Sequence, residues 1–289
     1  MFQHKEELKR SIVLMWKNKI LWLFGLFLAE GYVFTNVRVS DNRRAAIEKF
    51  LGPDFWKNLT EFFNDAAILI VKQFWLIGLV LLALFILSIV SRGALLSSLL
   101  IIKEGNKAEF KKQTKAGLAK FWKLLGLSVL LWLGNLPVMI LWYFGLARTS
   151  GLLVGIGLAL FFIYNILILL FKHYSYCFVV YEGANIFAGI ARGWQLFIKN
   201  WKDSVLAQVA RLFATAIASV ALLLAAIIVS ITFFVVGMIV AAFAGKIGFD
   251  IVVGIGMVVF FGVLFWLNAM LNVYVYSYLT KLYWWLKNN

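Results

Sequence analysis

Long apolar runs alternate with short basic stretches along the whole chain, and this alternation predicts helices that cross a membrane. Several runs reach the roughly 20 residues that a helix needs to cross a bilayer. Membrane β-strands would instead alternate apolar and polar residues over shorter segments. We therefore predict an all-α fold, a polytopic bundle of six transmembrane helices with amphipathic interfacial helices. The crossings are expected at about 20–34, 66–91, 124–147, 151–172, 205–244 and 251–278.

Several ends and breaks of these crossings can be predicted more closely. The first run is short, so its helix should begin nearer Leu14. Pro137 should kink the third crossing because proline lacks an amide hydrogen. The fifth crossing is longer than one bilayer thickness, which predicts a tilt or a projection, and a turn at 245–248 should follow it. The polar segment Thr35–Asp65 is expected outside the membrane, as a lid or docking surface.

The composition identifies the surroundings of the chain as lipid. Hydrophobic residues make up 63% and charged residues 14%, with a mean hydropathy of +0.91, against about 45–50% and 25% in soluble domains. The formal net charge of +15 predicts attraction to anionic lipid. Cys177 is the single cysteine, which excludes an intramolecular disulfide and a cysteine-based zinc site.

The distribution of basic residues predicts the orientation. Most of the 28 lysines and arginines lie before the first crossing, after the second, after the fourth and after the sixth. Loops rich in Lys and Arg face the cytoplasm, so both termini are expected there. We predict a multi-pass protein of the plasma or inner membrane.

Recurring residues indicate an internal repeat of three helical hairpins. Placing Trp16, Trp122 and Trp201 in register defines units at about 1–105, 106–183 and 184–289, a pseudo-threefold arrangement within one membrane domain. Tyr174-Ser175-Tyr176 also recurs as Tyr276-Ser277-Tyr278. Chance or common interfacial chemistry is the alternative explanation. The tyrosines are expected to form an aromatic belt at the membrane surface.

Several polar side chains are candidates for interactions at the interface or within the membrane. The interfacial anchors are expected to be three Trp-Lys pairs: Trp16 and Lys17, Trp122 and Lys123, Trp201 and Lys202. Glu104-Gly105 and Glu182-Gly183 are typical of helix C-termini. A carboxylate there opposes the helix dipole, so we expect a cation beside each, Arg192 in the case of Glu182.

Charged and amide side chains inside the crossings leave alternatives open. Glu30 and Lys72 have similar depth and either form a buried pair or reach outward separately. A second group could line a polar cavity or bind a lipid phosphate, or could simply join helices by hydrogen bonds. It consists of Arg211, Gln208, Asn165, Asn268 and Asn272.

Two hypotheses of function follow. No catalytic motif, cofactor motif or metal-ligand spacing is present, and His4 and His173 lack neighbouring carboxylates or cysteines at such spacing. The first hypothesis is a non-enzymatic membrane protein whose basic helices bind anionic phospholipid and a protein partner of unknown kind. The second is a small transporter or lipid-handling protein using the region of Arg211. Nucleic-acid binding is not expected because the basic residues lie beside the membrane.

Short motifs at two joints resemble a known group of membrane proteins. One joint carries Val179-Val180-Tyr181-Glu182 followed by Ala188, Arg192, Leu196 and Trp201, and the other carries Arg92-Gly93-Ala94-Leu95, then residues 103–107 and Phe110. The pattern is similar to the six-helix membrane domain attached to some glycerophosphodiester phosphodiesterases and to YciC-like bacterial membrane proteins. The resemblance implies a six-helix fold. The metal-binding phosphodiesterase domain is not in this sequence, so that activity is not expected.

Overall fold

A computed structural model describes residues 3–28, 74–147 and 151–288. Within these ranges every regular element is a helix, and the all-α prediction is confirmed. Residues 29–73 are not among the described residues. The predicted polar segment Thr35–Asp65 and the proposed pair of Glu30 and Lys72 fall within them. The helices are α1 (His4–Lys17), α2 (Ile20–Leu26), α3 (Phe74–Lys103), α4 (Phe110–Ala119), α5 (Phe121–Leu133), α6 (Leu136–Ala147), α7 (Gly151–Tyr181), α8 (Ile186–Lys199) and α9 (Trp201–Asn288).

Five helical stretches of the described chain are long and apolar enough to cross a membrane. They are Gly78–Lys103, Phe121–Leu141, Gly151–Tyr181, Trp201–Val240 and Ile251–Asn288. These correspond to five of the six predicted crossings. The remaining one, predicted at 20–34, is described only to Leu28, so the number six stays a prediction.

The chain divides into two units, residues 1–28 with 89–289, and residues 29–88. The described part of the second unit, residues 74–88, is helical, and its side chains from Leu79 to Leu87 are exposed. The site residues discussed below all belong to the first unit. The prediction of a single domain is left open.

The prediction that the first crossing helix begins near Leu14 was wrong. Helix α1 ends at Lys17, and the side-chain amide of Asn18 donates a hydrogen bond to the Leu14 carbonyl oxygen at 3.0 Å. Asparagine satisfies an end carbonyl in this way and so competes with continued helix. The next helix, α2, begins at Ile20.

The returning helices extend further than predicted. Helix α3 continues past Ser91 to Lys103, α7 continues past Lys172 to Tyr181, and α9 continues past Tyr278. Much of each extension is buried, including residues 94–99, 173–180 and 279–280. This packing sustains the helices where lipid contact was expected to end. The predicted helix ends at Gly105 and Gly183 are confirmed, with φ of +84° and +67°, values that glycine adopts without a Cβ clash.

These extensions, together with α1, α4 and α8, form what we call the basic end of the bundle. Four tyrosines there, Tyr174, Tyr276, Tyr278 and Tyr283, are at most 2% exposed. They are core residues, and the prediction that the tyrosines form a membrane-surface belt was wrong for them. Phenol rings fill a large volume, and their hydroxyls find protein partners there, as buried tyrosines usually require.

Helices α1, α4 and α8, which we call the short helices, each pack on a returning helix. On α7, α8 approaches closely at Gly193, where a Cβ would meet the Oγ atom of Ser175. On α3, α4 approaches at Gly117, where a Cβ would meet the Val90 carbonyl oxygen. Helix α1 lies against the end of α9, with the Nδ1 atom of His4 2.8 Å from the Tyr278 hydroxyl. The three short helices therefore have equivalent neighbours.

The short helices also share a burial register that differs from the tryptophan register. The chain breaks after each short helix at one residue, which we call the joint residue. The positions three and seven residues before this joint residue are buried. These are Met15 and Ser11 before Asn18, Gly117 and Gln113 before Lys120, and Phe197 and Gly193 before Asn200. Trp16 precedes its joint residue, whereas Trp122 and Trp201 follow theirs. The duplication itself stays a prediction.

Two predicted breaks are confirmed. Helix α5 ends at Leu133, and α6, which contains Pro137, begins at Leu136. Within α9 the backbone at Gly245 has φ +61° and separates two helical segments. We call residues 209–240 and 251–268 of α9, together with 151–166 of α7, the apolar arms. The most apolar 18-residue stretch of each parent helix segment is only 6% buried.

Candidate functional site

Some of the polar residues predicted around Arg211 take part in contacts between different helices, and others bond within α9. The side chain of Gln208 donates to the Leu169 carbonyl oxygen on α7 at 3.0 Å, and Arg211 donates to Gln208 at 3.4 Å. A second contact joins α9 to α2, because Asn272 donates to the carbonyl oxygens of Gly25 and Leu28, at 3.0 and 2.8 Å.

The other two asparagines of that predicted group also bond to neighbours. Asn268 accepts a hydrogen bond from Asn272 at 3.2 Å. Asn165 of α7 donates to Asn135, between α5 and α6, at 3.1 Å. Gln208, Asn272 and Asn165 thus form three contacts between elements, whereas Arg211 and Asn268 bond to residues of their own helix. Interhelical bonding, one of the alternatives left open by the sequence, describes the first three residues. For Arg211 and Asn268 both alternatives stay predictions.

A polar cluster around Arg92 was missed by sequence reasoning. The Arg92 guanidinium donates to the hydroxyls of Tyr276 at 3.0 Å, Tyr176 at 2.9 Å and Ser128 at 3.3 Å. Its charge also lies 4.6 Å from the centre of the Tyr176 ring, a cation–π contact. One residue of α3 therefore joins α5, α7 and α9. The recurring Tyr-Ser-Tyr motif was a signal in the sequence that these tyrosines matter, but the motif does not indicate that Arg92 is their partner.

Glu182, just after α7, joins three elements. Its carboxylate lies 3.2 Å from Arg192 of α8, as predicted, and 2.7 Å from Lys287 of α9, which was not predicted. The Tyr283 hydroxyl donates to it at 2.8 Å. Burial raises the pKa of this carboxyl, but the hydrogen bonds from Lys287 and Tyr283 and the charges of Lys287 and Arg192 outweigh it, so the pKa is lowered overall.

Glu104, the matching residue after α3, is exposed. It makes no ion pair with any residue in the described ranges. The expectation of a neighbouring cation is therefore not met there within those ranges. Lys103 precedes Glu104 as Tyr181 precedes Glu182. The Lys103 ammonium lies over the Trp284 ring.

Two lysines at the start of α5 bind the end of α7. Lys120 donates to the Val180 carbonyl oxygen at 2.7 Å, and Lys123 donates to the Gly183 carbonyl oxygen at 2.8 Å. Cations at a helix C-terminus satisfy end carbonyls and complement the dipole. Burial and the nearby charge of Lys123 lower the pKa of Lys120. Lys123, predicted to reach lipid, thus has a protein partner.

The outward faces of the short helices combine exposed apolar and basic side chains. The tryptophans predicted as anchors are exposed, Trp16 by 49%, Trp122 by 77% and Trp201 by 54%. Lysines are exposed nearby, including Lys17 and Lys202, and the Lys202 ammonium lies 5.9 Å from the Trp201 ring centre. Exposed apolar residues accompany them: Ile12 and Val13 on α1, Phe110 and Leu118 on α4, Phe187 and Ile198 on α8.

The fold and these faces define the class of a multi-pass helical membrane protein. Among the described residues, no group of three His, Cys, Asp or Glu side chains is placed to share a metal ion. No known protein family, curated protein or solved structure matches the chain.

Proposed function

We propose that the chain is a non-enzymatic protein of the cell membrane whose basic end lies at the cytoplasmic surface and binds anionic phospholipid. One observation carries the proposal. Each of the three short helices buries one face in the protein and exposes apolar and basic side chains on the other. A helix that lies in the headgroup region has this pattern, with apolar residues in the acyl boundary and cations among lipid phosphates.

The joints provide further support. After each short helix the chain breaks at Asn18, Lys120 or Asn200 and continues as an apolar helix. An exposed indole within two residues of each break suits the interface, because indole is amphipathic. Each surface Lys or Arg contributes about 1 kcal/mol of attraction to an anionic leaflet.

Lipid selectivity tests the proposal. We expect the detergent-purified chain to retain more phosphatidylglycerol than phosphatidylcholine of the same acyl chains in native mass spectrometry. Replacing Lys111→Gln and Lys115→Gln together should reduce that preference, because both lysines are exposed on α4. Lys246→Gln, at the far turn of α9, is the matched control and should change nothing. Equal retention of the two lipids by the unaltered chain would contradict the proposal.

Orientation can be tested separately with single cysteines. Cys177 is fully buried and should stay unreactive in the folded chain. An impermeant maleimide applied to intact cells should label Lys246→Cys, and should label Asn106→Cys only after permeabilisation. Labelling in the opposite sense would place the basic end outside.

The transporter alternative has less support. Three of its proposed residues, Gln208, Asn272 and Asn165, bond to other elements within the described chain. Arg211→Ala should therefore leave phospholipid retention in native mass spectrometry unchanged. Loss of lipid in this variant alone would favour the alternative instead.

A further inference from the structure

A cavity of about 590 Å³ opens at the basic end between α1, the last turn of α3 and the last turns of α9. Its size is within the range of small-molecule sites, roughly 300 to 1,000 Å³. The contacts described above do not explain why this cavity is present. Its walls differ in character, and this difference indicates the kind of ligand.

Three cations and one carboxylate line the cavity: Arg10, Lys103, Lys281 and Glu7. The carboxylate lies 2.8 Å from Arg10 and 3.3 Å from Lys281, so it neutralises these two in part. The Lys103 ammonium, 4.3 Å from the centre of the Trp284 ring, has no carboxylate partner among the described residues. The cavity therefore has an excess of positive charge, and Lys103 is available to an anion.

A buried hydroxyl adds a second unused donor. Ser277 is 1% exposed and lines the cavity, and its Oγ atom has no hydrogen-bond partner in the described chain. A helical serine commonly bonds to the carbonyl four residues earlier. Ser175, in the matching Tyr-Ser-Tyr motif, does this with Phe171 at 3.4 Å. A buried polar group without a partner is costly, so a ligand that accepts from Ser277 would relieve that cost.

The rest of the wall is apolar and aromatic. Leu14, Leu99 and Ile102 lie on it with the indoles of Trp284 and Trp285. A free inorganic anion would gain nothing from these side chains, whereas the glycerol and first acyl carbons of a lipid would. The position at the ends of transmembrane helices is also the depth of lipid headgroups.

We propose that this cavity binds the headgroup of one anionic phospholipid, with its phosphate at Lys103 and an oxygen of the headgroup or ester accepting from Ser277. The proposal rests on the proposed function, because it specifies one defined site within the lipid-binding basic end. The same phosphate chemistry could come from a soluble phosphate ester, and the experiment distinguishes the two sources.

The test measures binding of phosphatidylglycerol to the full-length chain by native mass spectrometry. Lys103→Gln should weaken the tightest-bound lipid about tenfold, as expected for a lost charge-assisted bond. Lys103→Arg keeps the charge and should bind normally. Ser277→Ala should weaken binding severalfold without lowering the thermal stability of the lipid-free chain, because it removes a buried hydroxyl that has no partner there. Lys246→Gln, at the far turn of α9 and away from the basic end, is the control.

Each outcome decides a different point. Weak binding confined to Lys103→Gln and Ser277→Ala supports the cavity. Equal phosphatidylglycerol binding by these variants and Lys246→Gln overturns the cavity but leaves the proposed function standing. If the unaltered chain does not prefer phosphatidylglycerol to phosphatidylcholine, the proposed function fails and the cavity proposal with it. Stabilisation by glycerol phosphate or inorganic phosphate, lost in Lys103→Gln, without a lipid preference would overturn the lipid source.

Discussion

In α9, the residues near the basic end and those of the arms have opposite surroundings. Every residue from 272 to 280 is buried, and among them Tyr276 and Thr280 bond to side chains of other helices. No residue from 209 to 236 is buried, and Leu223 is 60% exposed. The basic end is thus stabilised by protein packing and polar bonds, whereas the apolar side chains of the arms are exposed on the surface of the protein, as lipid-facing side chains are.

The difference indicates how the two regions contribute to stability. Lipid tails are as apolar as leucine, so no hydrophobic force drives helices together within the bilayer. Specific association then comes from close packing and hydrogen bonds, and both are concentrated at the basic end. Substitutions should consequently act by different mechanisms in the two regions.

Placing a charge in an arm gives the largest expected effect. Leu223 is near the middle of Trp201–Val240, and Leu223→Asp should raise the apparent free energy of membrane insertion by about 3 kcal/mol. A glycosylation-based insertion assay of this segment measures the change. Leu206→Asp, one turn from the interfacial Trp201, should cost much less because its carboxylate can reach the headgroups. A neutral result at Leu223 would show that the arm is not in lipid.

Removing the Arg92 side chain should be nearly as damaging, but through lost bonds. Arg92→Met removes the three hydrogen bonds that the guanidinium donates to Tyr176, Tyr276 and Ser128, which should lower the free energy of unfolding by about 3 kcal/mol. Arg211→Met, which removes a 3.4 Å contact to Gln208, should cost about 1 kcal/mol or less. Unfolding in mixed SDS micelles compares the two. Equal losses would remove the distinction between the basic end and the arms.

Hydropathy predicted the parts of this fold that depend on local sequence. It located the five described spans, and individual residues predicted the break near Pro137 and the turn at Gly245. The ion pair of Glu182 and Arg192 was also predictable, because their helices follow each other directly.

Burial at the basic end was not predictable in the same way. Hydropathy does not distinguish a side chain in lipid from one in a protein core, so the tyrosines were assigned to a belt. Arg92 and Tyr276, which are 184 residues apart in the chain, bond only because three long helices converge. The cavity beside Ser277 likewise depends on α1, α3 and α9 together, and no single stretch of sequence contains it.

Adding one methyl group tests the close packing of the short helices. A Cβ at Gly117 would meet backbone atoms of α3, including the Ala94 nitrogen at 2.9 Å, so Gly117→Ala should cost about 2 kcal/mol of unfolding free energy. Gly254, in an arm, has nothing within 4 Å of a Cβ. Gly254→Ala should be neutral or stabilise by up to about 1 kcal/mol through helix propensity. Denaturation of the two variants in parallel gives the difference.

The smallest expected effect concerns Glu182, at the border of the basic end and water. Its partners Arg192 and Lys287 have side chains that are 53% and 48% exposed, and exposed ion pairs contribute about 0 to 1 kcal/mol each. Glu182→Gln should therefore lower the free energy of unfolding by about 1 kcal/mol at neutral pH. Glu104→Gln, which removes a carboxylate without an ion-pair partner in the described chain, is the matched control and should change stability by less than about 0.5 kcal/mol.

The pH dependence gives this prediction its sign. Because the folded pKa of Glu182 is lowered, its contribution is present above the unfolded value of about 4.3 and is lost as the pH falls through the folded value. The stability difference between the unaltered chain and Glu182→Gln should consequently shrink below about pH 4. A difference that stays constant from pH 7 to pH 3 would mean that the charge of Glu182 does not stabilise the joint between α7, α8 and α9.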